Sequence, residues 1–397
     1  MQNLISFFGI FVLIFLAWLI SEGKARSDEI LALTFTDKAA GEIEERVDRL
    51  LPYGYLDLWV STFHSFAERI LKDNALEIGL PNDFKLLNEF EQWILIRQNL
   101  DRFKLDYYRP LGNPTKFIRA LVKHFSRAKD EAISPSDYLE YAENLKLNTD
   151  STNFIKGKIA PEVAKKLTKK ELKEIAVAQI RKTIEVAEAY HIYQQLLLEN
   201  NALDFGDLIN YCLKLFRERP LVLAKYRSQF KYILVDEFQD TNWAQYELIK
   251  ILAAPKNNLT VVADDDQSIF RFRGASMSNI LQFKKDYPAS QEVILVNNYR
   301  SAQEILDLAY KFILFNNPNR LECQLSKNSQ ADKKIDKKLI AQKKQTGQIE
   351  VLNFTAQDEE TKGVIRKIME LKEQDQEATW DDFAILVRAN DQANSFM

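Results

Sequence analysis

Tyr232-Ile-Leu-Val-Asp-Glu-Phe-Gln-Asp-Thr-Asn242 is the stretch on which the reading of this chain turns. Four apolar residues ending in Asp236-Glu237 predict a buried parallel strand. It delivers two carboxylates at its C-terminal end, the edge where open α/β sheets place their ligands. Carboxylates at that edge suit nucleotide hydrolysis. Asp236 is placed to hold a magnesium ion, directly or through water, and Glu237 to orient and deprotonate a water that attacks a γ-phosphate. An isolated Asp-Glu pair after an apolar run is most often a solvated strand end, so the surrounding sequence has to decide.

Downstream, the run from Leu259 to Ala275 predicts a second short strand leading into a polar loop. In that loop Phe270 and Phe272 stand two apart, each beside an arginine, and offer stacking faces next to cations, as single-strand binding requires. Leu295-Val-Asn-Asn-Tyr-Arg-Ser301 follows. Upstream lie Thr34-Phe-Thr-Asp-Lys-Ala-Ala40, Val60-Ser-Thr-Phe-His-Ser-Phe66 and Leu203-Asp-Phe-Gly-Asp-Leu208. Taken singly, Phe35 and Phe63 read as core aromatics, His64 as a satisfied surface histidine and Arg300 as a charge at the start of a helix. Taken together and in this order over residues 31–301, the strings resemble motifs Ia, Ib, II, III and IV of the UvrD/Rep/PcrA group of superfamily 1 DNA helicases. The Leu203–Leu208 string resembles the segment that precedes motif II there.

The resemblance implies an α/β fold: a RecA-like P-loop NTPase core with a parallel sheet, an α-helical insertion called 1B, and the start of a second RecA-like domain. Its expected boundaries are 1–21 for an apolar N-terminal segment, 22–100 and 201–285 for the two parts of domain 1A, 101–200 for 1B, and 286–397 for domain 2A. It also implies ATP and Mg2+ as cofactors, and single-stranded DNA and single-/double-strand junctions as partners. ATP hydrolysis would be coupled to 3′ to 5′ translocation and unwinding, in DNA repair or recombination. In the implied site Asp236 and Glu237 keep the roles given above, Gln267 senses the γ-phosphate and Tyr299 packs against the adenine. Arg300 acts as an arginine finger, a role that suits a guanidinium because it stays charged and donates to two phosphate oxygens at once. DNA contacts fall to Phe35, Thr36 and Lys38 at a helix N-terminus, to Thr62, Phe63 and His64 at another strand end, and to Phe270, Phe272 and Arg273.

The chain departs from the family pattern at several places. Asp37 stands where Asn is usual, and Ala263 where Gly is usual. Phe270 and Phe272 stand where Tyr and Trp are usual, which keeps stacking but weakens it. A phosphate-binding loop needs glycines followed by Gly-Lys-Ser or Gly-Lys-Thr, and no such string occurs: Gly23-Lys24 is followed by Ala25, and Gly157-Lys158 by Ile159. The slot one helix before motif Ia holds an uncharged apolar run, Leu4 to Ile20. Three readings of that run stand, in this order. A lost N-terminus, phosphate loop included, has been replaced by out-of-frame translated sequence; or the run is a membrane anchor, at the short end of the roughly 17–25 residues a span requires; or it is a buried helix of the domain. The first of these makes the chain an inactive fragment of a helicase. Alternatives in function are a helicase subunit of a recombination helicase-nuclease complex and a non-hydrolysing, membrane-associated DNA-binding protein.

After Gly347, Ile349–Phe354 and Phe383–Val387 predict strands and Glu359–Lys372 a helix, resembling the opening of domain 2A before the chain stops at Met397. Residues 101–200 carry apolar positions at spacings of three and four in a charged background, with one long amphipathic pattern over Glu171–Asn200. Lysines at 156, 158, 165, 166, 169 and 170 lead into it and read equally as a track for a phosphate backbone and as a solvated loop. A net charge of −3 confines any nucleic-acid surface to local patches. Two cysteines exclude a disulfide framework, and with three histidines they make no metal cluster. The expected location is the cytoplasm, with membrane association through residues 4–20 as the alternative.

Overall fold

The computed structural model describes residues 7–51, 57–147, 167–268, 277–318, 320–323 and 337–397. It divides into two compact units, one of Phe8–Ser290 and one built chiefly of Gln291–Met397.

The first unit opens with helix α1 (Phe7–Ser21), strand β1 (Ile30–Thr34), helix α2 (Asp37–Leu50), strand β2 (Trp59–Thr62), helix α3 (Phe63–Asn74), strand β3 (Lys85–Leu87) and helix α4 (Glu89–Gln98). Three helices follow, α5 (Ile118–Asp130), α6 (Pro135–Leu147) and α7 (Lys169–Glu199). The unit closes with β4 (Ala202–Asp204), α8 (Phe205–Glu218), α9 (Pro220–Gln229), β5 (Tyr232–Val235), α10 (Trp243–Ala253), β6 (Leu259–Val261) and α11 (Met277–Asp286). Its main sheet has four strands in the order β2-β1-β5-β6, every neighbouring pair parallel. β1 is buried along its whole length and β5 from Ile233 onward, as expected of strands covered on both faces. Leu33 pairs with Val235. Successive side chains alternate across a sheet, so Thr34 and Asp236, each one residue further along, share the opposite face.

That face is the one covered by α1 and α2. Val12, Leu16 and Leu19 of α1 and Ile43 and Val47 of α2 form one core with Ala32 and Leu234. Over the part that is described, the apolar run therefore packs as a core helix of the domain. The helix has 15 residues, and no helix among the described residues is long and apolar enough to cross a membrane. Leu4 to Ser6 of the run lie outside the described residues.

A second core lies among the helices between β3 and β4. Ile96 and Phe103, Leu121 and Phe125 of α5, and Tyr190, Tyr193 and Leu197 of α7 pack together, with Phe125 stacked against Tyr190 and against Tyr193 at ring separations of 5.1 and 5.2 Å. The amphipathic pattern read over Glu171–Asn200 is the helix Lys169–Glu199, closed at its start by a capping box between Thr168 and Glu171. Ile175 is 39% exposed, and the buried stripe of the helix starts at Ala176. Lys169 and Lys170 are exposed on the first turn, and lysines 156, 158, 165 and 166 lie outside the described residues.

A buried ion network joins α5 to the start of α8. Lys129 Nζ of α5 lies 2.6 Å from Asp204 and 2.9 Å from Asp207, with all three side chains buried. Tyr193 donates to Asp204 and Gln194 to Asp207, while the two aspartates cap α8 reciprocally. Gly206 is required where it stands: a Cβ there would lie 2.7 Å from the Cβ of Lys129.

In the second unit β7 (Asn297–Asn298) pairs in parallel with β8 (Ile340–Ala341), and helices α12 (Gln303–Ile313), α13 (Gln357–Gln374) and α14 (Asn390–Ala393) accompany them. The helix read over Glu359–Lys372 lies inside α13. The strands read over Ile349–Phe354 and Phe383–Val387 do not form ladders. Alternating apolar residues make a strand only when backbone partners are available, and here Val351 is 82% and Leu386 90% exposed.

Candidate active site

A parallel sheet sends the C-terminal ends of its strands to one edge. Thr34, Thr62, Val235 and Val261 end β1, β2, β5 and β6 there. Thr36 caps α2, its hydroxyl accepting from Ala39 N at 3.1 Å, and Thr62 caps α3 by accepting from Ser65 N at 3.2 Å. These caps turn two helix N-termini, with their unpaired amides, toward the same edge.

Asp236 and Glu237 stand at the middle of it. Asp236 N donates to Leu33 O, extending the ladder by one rung, and the residue is 2% exposed. Burial, reinforced by the charge of Glu237, pushes its pKa up to about 7. Oδ1 has no hydrogen-bond partner. A buried carboxylate oxygen in want of a positive or donating partner fits a hard, oxygen-seeking cation. Glu237 is less buried and its backbone is left-handed, with φ 49°, a conformation costly for a residue with a Cβ and frequent where a side chain is aimed for function.

Gln239 holds that aim. Its Nε2 donates to Glu237 Oε2 at 2.6 Å and its Oε1 accepts from Asp264 N at 3.0 Å, so one buried amide ties the motif II glutamate to the loop after β6. Sequence reading passed over Gln239 although it lies inside the opening string; an amide at strand-end spacing carries no chemistry of its own to flag it. Gln267 is exposed in that loop and donates to Asp264 Oδ2 at 2.8 Å.

The DNA-side residues separate by burial. Thr36 and Lys38 are exposed and Phe35 is half-buried. Phe63 is 2% exposed and packs in the core, so its ring offers no face to a base. His64 lies edge-on to Phe205 at 5.9 Å, and burial lowers its pKa, with Asp37 opposing. Asp37, the departure from Asn, accepts from Ser65 Oγ at 3.4 Å and so links the starts of α2 and α3. Phe270, Phe272 and Arg273 lie outside the described residues. In the second unit Tyr299 and Arg300 are exposed just past β7, in a turn where Asn298 Oδ1 accepts from the amides of Arg300 and Ser301.

Residues 12–288 match the UvrD/REP helicase N-terminal domain, and residues 293–397 the UvrD-like helicase C-terminal domain. The chain belongs to the UvrD/REP helicase family. The junction between the two matches falls where the structure divides, beside Ser290. Similar proteins include the ATP-dependent DNA helicase PcrA of Leuconostoc citreum, 36% identical over 92% of this chain and 41% of the relative. Those of Bacillus subtilis and Staphylococcus aureus are 39% identical over 77% of the chain and 34% identical over 95%, covering 36% and 44% of those proteins. This chain therefore spans less than half the length of the UvrD/REP relatives it matches.

Proposed function

We propose that this chain supplies the hydrolytic carboxylates and part of the single-strand binding edge of an ATP-dependent DNA helicase that moves 3′ to 5′ and works in the cytoplasm. The observation carrying this reading is Asp236, buried and with Oδ1 unpartnered, beside a glutamate aimed by Gln239 at the C-terminal edge of a parallel sheet. Magnesium bound there would neutralise charge on the phosphates. Glu237 orients the attacking water and takes its proton, and Gln267 reports the γ-phosphate from the loop after β6. Tyr299 is proposed to pack on the adenine and Arg300 to reach the phosphates. On the DNA side the proposal rests on Phe35, Thr36, Lys38, Thr62 and His64, together with Phe270, Phe272 and Arg273.

Fluorescence anisotropy with a labelled oligothymidine tests the DNA half. Stacking on an aromatic face contributes about 1–3 kcal/mol per base, so Phe272→Ala should weaken binding roughly five- to a hundredfold. Added salt should weaken wild type and variant alike, since phosphate contacts are untouched. Equal affinity of the two, in folded samples, would mean that the loop does not contact bases.

Hydrolysis separates the chemistry of the site from its substrate binding. No Gly-Lys-Ser or Gly-Lys-Thr occurs in the 397 residues to wrap a β-phosphate, and carboxylates without a fixed substrate lose the positional advantage that catalysis needs. DNA-stimulated phosphate release by this chain should match that of a Glu237→Gln variant. Release well above that control would contradict the expectation.

A further inference from the structure

Two buried oxygens at the C-terminal edge have no hydrogen-bond partner and stand on neighbouring strands: Thr34 Oγ1 at the end of β1 and Asp236 Oδ1 just past β5. Thr34 is 1% exposed and Asp236 2%. Leu33 pairs with Val235, and Leu33 O accepts from Asp236 N at 2.9 Å, so Thr34 and Asp236 sit side by side, on strands about 4.8 Å apart, with side chains on the same face. An unsatisfied buried hydroxyl is costly, and native proteins leave few of them. Two together, one of them a carboxylate, point to something polar that fills the place between them.

We propose that Thr34 is a positioning residue for the divalent cation of this site, its hydroxyl accepting a hydrogen bond from a water of the ion that Asp236 binds. The inference rests on Asp236 being the magnesium carboxylate. A hydrated ion answers both orphaned oxygens at once, the cation the carboxylate and its water the hydroxyl. Thr34 does not touch nucleotide in this arrangement; it fixes where the ion's water, and hence the ion, sits.

Mn2+ serves as the probe, followed by water-proton relaxation at pH 7.5 on the chain as it stands, without nucleotide. Thr34→Val removes the unpartnered hydroxyl and keeps the shape, so it should fold with a metal-free melting temperature at or above that of wild type. Its Mn2+ affinity should nevertheless fall about tenfold, the usual scale for losing a partner that orients a ligand. Thr34→Ser should restore most of the affinity. Asp236→Asn should abolish this binding and so identifies the signal. If wild type shows no Mn2+ binding that Asp236→Asn removes, the magnesium assignment fails and the role of Thr34 falls with it. If Asp236→Asn abolishes binding while Thr34→Val binds as wild type does, the metal reading stands and the role of Thr34 alone is overturned.

Discussion

Lys129→Met is expected to destabilise the unit Phe8–Ser290 by about 3–5 kcal/mol at pH 8, the scale for removing one partner of a buried ion pair. Lys129 is buried between Asp204 and Asp207. Burial works against its charge, yet the two carboxylates together hold its pKa above the ordinary lysine value. Removing the ammonium leaves two buried carboxylates facing each other. Even with Lys129 present, burial and then the charge of Asp204 push Asp207 up to about 6. In the variant Asp207 loses the ammonium that opposes this rise, and a carboxyl whose folded pKa lies above its unfolded one loses stability as pH climbs between the two. The deficit should therefore shrink toward pH 5, where Asp207 takes up a proton. Urea unfolding followed by tryptophan fluorescence at pH 5 and pH 8 measures both quantities. A variant within about 1 kcal/mol of wild type at pH 8 would show that the network does not bear on stability, as is common for exposed pairs.

The strand with its two carboxylates and the long helix after residue 168 were legible in sequence because each is written locally. Asp236-Glu237 follow four apolar residues, and the pattern over 171–200 repeats on one helix face. Helix α1 was not legible as a core element. An uninterrupted apolar run reads alike whether its neighbours are lipid or protein, and only the packing of Val12, Leu16 and Leu19 against Ala32 and Leu234 distinguishes the two. The strands read over 349–354 and 383–387 failed for the opposite reason: their pattern is local, but a ladder depends on another segment arriving beside them.

The polar core of the site was the least legible part. Gln239, Thr34 and Lys129 matter through partners distant in sequence: Asp264 for Gln239, the Asp236 strand for Thr34, and Asp204 and Asp207 for Lys129. No spacing rule connects residues 34 and 236 or 129 and 204. Phe63 shows the same limit from the other side, since an aromatic beside a strand end reads equally as platform and as core, and only its burial decides.

Asp130→Asn is expected to stabilise the chain by about 2 kcal/mol at pH 8 while leaving it unchanged near pH 4. Asp130 ends α5 and accepts from Asn242 Nδ2 at 2.8 Å, tying the insertion to the residue that caps α10 directly after motif II. Burial pushes its pKa from 3.8 to about 7; Asn242 opposes, Glu131 and Asp204 add to the rise, and Arg127 offsets a little. Between about pH 4 and pH 7 the folded chain therefore keeps a proton that the unfolded chain has released, and stability falls as pH rises. A shift of about three units corresponds to about 4 kcal/mol; partial solvent access to Asp130 reduces this to about half. Asparagine keeps an oxygen for Asn242 and carries no charge, so it removes the penalty without breaking the contact. His64 and His124, whose pKa values burial lowers, contribute stability that grows with pH up to about 6.5, but they are present in both proteins and cancel in the comparison. Urea midpoints across pH 4 to 8 should diverge between wild type and variant as pH rises. Parallel curves would mean that Asp130 is ionised throughout and that its link to Asn242 is an ordinary charged hydrogen bond.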